Sequence, residues 1–208
     1  MEDQADYRIR TMDQLRALIG DPAQLVYKKL LTDLDDLAIQ FIRRSPFLIL
    51  ATSDAEGHLD ASPKGDGPGF VLVEDRQTLV IPDRKGNKLL FGLGNIIADP
   101  QVGIIFLVPG TGETLRVNGE AELTVEPALL ERLTARGNPA QVAIRIKVRE
   151  CFFHCAKAIM RSQLWSADTW QEKISISWGK YLADKVGAGS DIAAKIDQTV
   201  EQDYKTNL

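Results

Sequence analysis

Apolar positions recur with a helical period through the first 45 residues. In "TMDQLRALIG", Met12, Leu15, Leu18 and Ile19 share one helix face, and Gly20 stops the element. "LVYKKLLTDLDDLAIQFIRRS" repeats the spacing with Leu30, Leu34, Leu37, Phe41 and Ile42. Ser45-Pro46 ends it, because a residue before proline avoids the helical region.

The texture then becomes β-rich. "FLILATS" is a strand, "DAEG" a turn, and "HLDASPKG" a second strand of small residues. "GDGPGF" reads as a loop and "FVLV" as a third strand. "EDRQ" turns the chain into "TLVIP". "NKLLFGLGNIIADP" fits a short helix starting near Asn87. "VGIIFLV" is apolar on both faces, as a central strand is. After the tight "PGTGET" loop, "LRVNGEAELTV" alternates; "EPALLERLTARG" is a helix with Gly137 past its end. "QVAIRIKVRECFF" is a long strand, with Val142, Ile144, Ile146 and Val148 on one face and Arg145, Lys147 and Arg149 on the other. "DIAAKIDQTVEQDYKTNL" is an amphipathic helix with Ser190 as its cap.

Short strands joined by tight turns, with helices at both ends, predict a mainly β (α+β) fold built on an antiparallel barrel. The chain divides into an N-terminal helical extension over 1–45, a barrel over 46–153 and a C-terminal helical segment over 154–208, all in one domain.

Candidate chemistry gathers in "IPDRKGNKLL". Arg84, Lys85 and Lys88 fall where a strand gives way to a helix. Unpaired amides at a helix start carry partial positive charge, and Gly86 lets the main chain approach a ligand. An arginine fork grips two phosphate oxygens, and lysines add point charges. The stretch is chemically fit for a phosphate monoester. On its own it fits a solvated turn better, because it lacks a full phosphate-loop motif.

The order of "FLILATSDAEGHLDASPKGD", "LVIPDRKGNKLLFGLGNIIADPQVGIIFLV", "LRVNGEAEL" and "CFFHCAKAIMRSQLW" resembles the pyridoxamine 5′-phosphate oxidase-like, FMN-binding split-barrel flavoproteins, in particular the pyridoxamine phosphate oxidase-related branch. The resemblance covers about residues 40 to 170. It implies a six-stranded antiparallel split barrel and a homodimer with FMN in grooves at the subunit interface. It implies that Arg84 and Lys85 hold the FMN phosphate, with Asn87 and Lys88 nearby. Ala61, Ser62, Pro63 and Lys64 would run along the flavin ring, and Lys64 would favour its reduced anionic form. Arg161, Ser162 and Trp165 would close the groove from the partner chain or the barrel rim. The Arg-Leu-His-type segment with which true pyridoxamine phosphate oxidases grip their substrate is missing, so the resemblance stops short of that activity.

Composition narrows the classes. Net charge is −4, from 25 basic and 29 acidic residues, which argues against nucleic-acid binding through a broad basic face. The polar, acidic N-terminus does not read as a secretory signal, and no apolar run is long enough to span a membrane. A cytoplasmic protein is expected. Cys151 and Cys155, with His154 between them, have neither redox-dithiol nor zinc-site spacing and read as half-buried structural residues; no metal is expected. "GLGNII" fails the dinucleotide fingerprint, because Ile97 stands at the third glycine position. Glu120 and Glu122 read as paired or solvated; Arg116 and Asn118 share their strand face and could border a cofactor groove. Two readings follow: an FMN-dependent oxidoreductase acting on a small molecule, or a non-catalytic flavin carrier or sensor.

Overall fold

The computed structural model describes residues 7–207. All seven strand patterns in the sequence form strands: β1 (Phe47–Ser53), β2 (Leu59–Gly65), β3 (Leu72–Asp75), β4 (Thr78–Asp83), β5 (Gln101–Leu107), β6 (Thr114–Thr124) and β7 (Val142–His154). They form one sheet in the order β2-β1-β5-β6-β7-β4-β3, and every pairing is antiparallel. The six strands implied by the resemblance are therefore seven here, the short β3 being hairpin-paired to β4.

β2 begins the sheet order and β4 lies near its other end. Yet Lys64 of β2 ion-pairs with Asp83 of β4, and Asp66 and Arg84 meet just beyond. The sheet has curled until its two ends touch through side chains rather than through a backbone ladder. Inward positions fill the barrel: Leu48, Leu50, Ile81, Ile104, Phe106 and Leu115 are all essentially inaccessible. Strand periodicity supplies this directly, since alternate residues share a face.

The N-terminal region is less regular than its periodicity suggests. It forms α1 (Met12–Ile19), α2 (Gln24–Tyr27) and α3 (Asp36–Arg44); its first six residues lie outside those described. Between α2 and α3 the chain stops being helical, where Leu31 bridges to Cys151 on β7. Asp35 caps α3 by accepting from the Ala38 N–H at 2.7 Å, and Arg43 and Arg44 complement the dipole at its other end. Ala38 and Ile42 then join the barrel core. Burying a side chain such as Ile42 stabilises by about 1.5–3 kcal/mol.

After β4 comes α4 (Phe91–Ala98), which docks on β1 through Ile96 and an Asn95-to-Thr52 hydrogen bond of 3.1 Å. α5 (Pro127–Arg132) closes a second small core of Val80, Leu129, Leu133, Ala140 and Ala143. Gly137 does not cap α5, whose C-cap is Leu133; it lies inside the tight turn closed by the bridge between Ala135 and Asn138. α6 (Lys157–Ser162) leads to a hairpin of α7 (Trp178–Val186) and α8 (Ser190–Thr206). Ser190 is the first residue of α8 rather than its cap. Gly189 is the N-cap, and no side chain closes that end. Asp197 instead reaches across to α7, accepting from Gly179 N–H and the Ser177 hydroxyl at 2.7 Å each, and these bonds hold its pKa below the ordinary carboxylate value. Among the described residues no helix is long and apolar enough to cross a membrane.

The two cysteines differ more than their spacing suggests. Cys151 is 1 % exposed in the barrel core and donates to the Asp33 carbonyl. Burial first, then the nearby Asp35, Asp33 and Glu150 charges, push its thiol up to about 11. Cys155 is exposed. At pH 8 a disulfide-exchange reagent should therefore label Cys155 rapidly and Cys151 only on unfolding. Two equally fast thiols in the native protein would contradict the packing of β7. Folding prefers the neutral Cys151 thiol, so its contribution is present below pH 9 and declines as the pH rises towards 11.

Candidate functional site

The join between the two sheet ends is a cleft of about 280 Å³, walled by β2, the end of β4, the 84–90 turn and the start of α4. Of the residues expected at a flavin, Ala61, Ser62, Pro63, Lys64, Arg84, Asn87 and Lys88 all line it. Lys85 does not. It leaves on the other side, donates to Asn207 Oδ1 at 2.9 Å, and lines a separate cavity. Arg161, Ser162 and Trp165 do not line the cleft either: they lie on and after α6, where the Trp165 indole N–H donates to the Thr111 carbonyl at 2.8 Å. Arg116 and Asn118 also lie elsewhere, Arg116 stacked 5.8 Å from the Phe152 ring and Asn118 donating to Glu150.

The turn between β4 and α4 explains the cleft's shape. Asn87 Oδ1 accepts from the Leu89 N–H at 3.0 Å, an Asx-type turn. Lys88 and Leu90 then adopt left-handed backbone, with φ of 62° and 59°. These residues cannot be helical, which moves the helix start from Asn87 to Phe91. Left-handed backbone at a residue with a Cβ costs about 1–2 kcal/mol. Leu90 stands at the N-cap with no capping side chain, so the first amides of α4 have no side-chain acceptor among the described residues.

Electrostatically the cleft is more balanced than the cation cluster suggests. Lys64 Nζ is paired to Asp83 Oδ1, with both side chains mostly buried. Arg84 binds Asp66 Oδ2 through Nε at 3.2 Å and Nη2 at 3.1 Å. Its remaining Nη1 is buried without a partner among the described residues. An unsatisfied buried guanidinium nitrogen is costly, by about 1–3 kcal/mol, and an anion would relieve it. Asp60 also lines the cleft and accepts from the Ser62 hydroxyl at 2.5 Å. Gly92 lets α4 come close: a Cβ there would sit 3.0 Å from Asp60 Oδ2 and 3.4 Å from Ser62 Oγ.

Sequence reasoning missed Asp60, Asp66, Asp83 and Gly92. Asp60 read as a strand residue, Asp66 as a loop residue and Asp83 as part of the turn. Only the curling of the sheet brings Asp83 to Lys64 and Asp66 to Arg84, while Asp60 accepts from Ser62. Neither histidine belongs to the cleft. His58 Nδ1 faces Asp54 Oδ2 at 2.8 Å on the β1–β2 turn, and its bonds hold the Asp54 pKa low. His154 ends β7, where burial and the Arg116 and Lys29 cations hold its pKa below the usual value. On the outer sheet face, Glu120 meets Arg149 at 2.7 Å and Glu122 meets Arg145 at 3.5 Å, so both carboxylates are ion-paired.

The chain is similar to several solved structures. One is HupZ of Group A Streptococcus, with 20 % identity over 58 % of this chain and 93 % of that one, TM-score 0.47. Another is a candidate pyridoxamine 5′-phosphate oxidase of Lactobacillus delbrueckii, with 21 % identity over 59 % and 95 %, TM-score 0.46. A third is an FMN-binding protein of Syntrophomonas wolfei, with 10 % identity over 68 % and 95 %, TM-score 0.43. No curated protein matches. The family profile described as pyridoxamine 5′-phosphate oxidase matches residues 34–155, from the approach to α3 through the end of β7. That is more than half of the chain, and it includes both strands and the turn that form the cleft: the protein belongs to the pyridoxamine 5′-phosphate oxidase family.

Proposed function

We propose that the protein is an FMN-dependent oxidoreductase that acts on a small molecule, with FMN held in the cleft between β2, β4 and α4. The observation that carries this reading is the buried, unpaired Nη1 of Arg84 at the edge of a cleft that Lys88 and the uncapped start of α4 also line. Arg84, Lys88 and the Gly86 backbone would hold the phosphate. Ala61 to Lys64 would lie along the ring. Bound there, the flavin supplies reversible uptake of hydride or single electrons. The chain's part is to hold and tune it: Lys64, fixed by Asp83, would lie beside the ring and favour its reduced anionic form.

The cleft works as a groove between two copies in this reading. Leu59, Leu89, Leu90, Phe91 and Ile97 stand exposed on and beside its walls, an apolar surface suited to burial in a homodimer. Arg161, Ser162 and Trp165 of the second copy would close the groove. A flavin carrier or sensor without turnover is the second reading. It is favoured by one observation: Lys64 with Asp83, Arg84 with Asp66, and Ser62 with Asp60 are engaged with each other rather than poised as acid or base.

Purified protein should carry flavin absorbance and release FMN on denaturation. Protein that is colourless and ignores added FMN refutes the proposal. Reduction of the bound flavin by NADH or NADPH, followed by turnover with an acceptor, separates the enzyme from the carrier. Gly92→Val supplies a local check. Its side chain would press on Asp60 and Ser62, so FMN affinity should fall about tenfold, the equivalent of about 1.4 kcal/mol. An unaltered dissociation constant would place the ligand away from the start of α4.

A further inference from the structure

The fold splits the Arg84–Lys85–Lys88 cluster between two spaces. Lys88 lines the flavin cleft, Lys85 lines a neighbouring cavity of about 800 Å³, and Arg84 lines both. The second cavity is nearly three times the volume of the cleft and lies within the range of about 300–1,000 Å³ common for ligand sites. Arg136 enters it from the loop after α5, and Asn207 closes it from the end of α8.

Its charge is lopsided. Arg84, Lys85 and Arg136 face a single lining carboxylate among the described residues, Asp66. That carboxylate is only 7 % exposed and already neutralised: it accepts from Arg84, from the Gly67 N–H at 2.8 Å, and faces Arg136 Nη1 at 3.3 Å. Among the described residues, Lys85 has only the neutral Asn207 amide as partner, and Arg84 Nη1 has none. Arg136 is held with φ of 51°, a backbone conformation that a residue with a Cβ rarely adopts, and Asp66 fixes its side chain there. Pro46, Pro139 and Ala140 give the same cavity an apolar wall.

We propose that this cavity binds a second phosphate-bearing group, continuous at Arg84 with the phosphate position of the cleft. Lys85 and Arg136 grip that group; Pro46 and Pro139 pack against what it carries. The chemistry has two sources, the distal nucleotide half of a dinucleotide flavin or a separate phosphorylated molecule bound beside FMN. The inference rests on the flavin reading only for what occupies the cleft.

Calorimetric titration with FMN, FAD and ADP tests it, on the wild type and on Arg136→Gln and Lys85→Gln. If the group belongs to the flavin, FAD binds at least about tenfold tighter than FMN, and either variant removes the gain while leaving FMN affinity unchanged. If it is a separate molecule, ADP binds FMN-saturated protein, and either variant weakens ADP about tenfold. Arg136→Lys should retain most of the binding, and thermal melts of the variants should match the wild type, since the Arg136 side chain is 59 % exposed. Binding of ADP that depends on Arg136 in a protein that ignores FMN would uphold this site while sinking the flavin reading. No preference for FAD together with no ADP binding, or binding indifferent to both variants, overturns the proposal.

Discussion

Arg84→Met should weaken FMN binding by about thirtyfold, about 2 kcal/mol, the usual cost of losing hydrogen bonds to a charged partner. The expectation has a built-in opposite. Asp66 now occupies Nε and Nη2 of Arg84, leaving only Nη1 free. A phosphate in the cleft must share that guanidinium with the carboxylate. Asp66→Asn removes the competing charge while keeping a hydrogen-bond acceptor of the same shape. It should therefore tighten FMN binding several-fold, where a merely structural Asp66 would leave affinity unchanged or reduced. Fluorescence titration of FMN reads both variants. Thermal melts control for folding, because Arg84→Met leaves Asp66 with only Arg136 and the Gly67 N–H among the described residues. Lys85→Ala is the companion: its side chain points to the second cavity, so FMN affinity should hold. A tight Arg84→Met variant would remove this residue from the phosphate position, and with it the central observation behind the proposed function.

The strands were legible because their alternation is a direct consequence of one face being buried. Ile144, Ile146 and Val148 read as inward and are inward. The chain-order logic of the helices was legible for the same reason, although the gap between α2 and α3 was not: Leu30 and Leu34 keep helical spacing, but the Leu31–Cys151 bridge to β7 overrides local propensity. The β4–α4 turn was half legible. Its cations were visible, whereas the left-handed Lys88 and Leu90 were not, because neither residue type announces such backbone. The pairing of Lys64 with Asp83 was beyond reach, since residues 19 apart on strands at different ends of the sheet meet only when the sheet curls. That is also why a run of three cations could look like one phosphate grip. Neighbours in sequence at a turn need not share a site: Arg84 borders both cavities, whereas Lys85 lines only the second and Lys88 only the cleft.

Gly119→Val should lower stability by about 3 kcal/mol, which for a chain of this size is about 6–12 °C in melting temperature. Gly119 sits in the longest pairing of the sheet, between β6 and β7, at the point where the register shifts. A Cβ there would lie 2.3 Å from the Lys147 carbonyl oxygen and 3.0 Å from Ile146 Cγ2. The first contact is with backbone, so no rotamer change relieves it; the strands must part. Separating them strains the ladder beside Ile146 and Val148, which are core residues. The bulge itself explains why glycine stands here, since the extra residue brings one backbone against the other. Gly94→Ala is the matched contrast. Gly94 lies in α4, and a Cβ there would meet nothing within 4 Å among the described residues, so alanine should be neutral or stabilise by up to about 1 kcal/mol through helix propensity. Circular dichroism melts of the two variants decide the matter: a Gly119→Val protein that melts with the wild type would mean that β6 and β7 do not pair through this bulge.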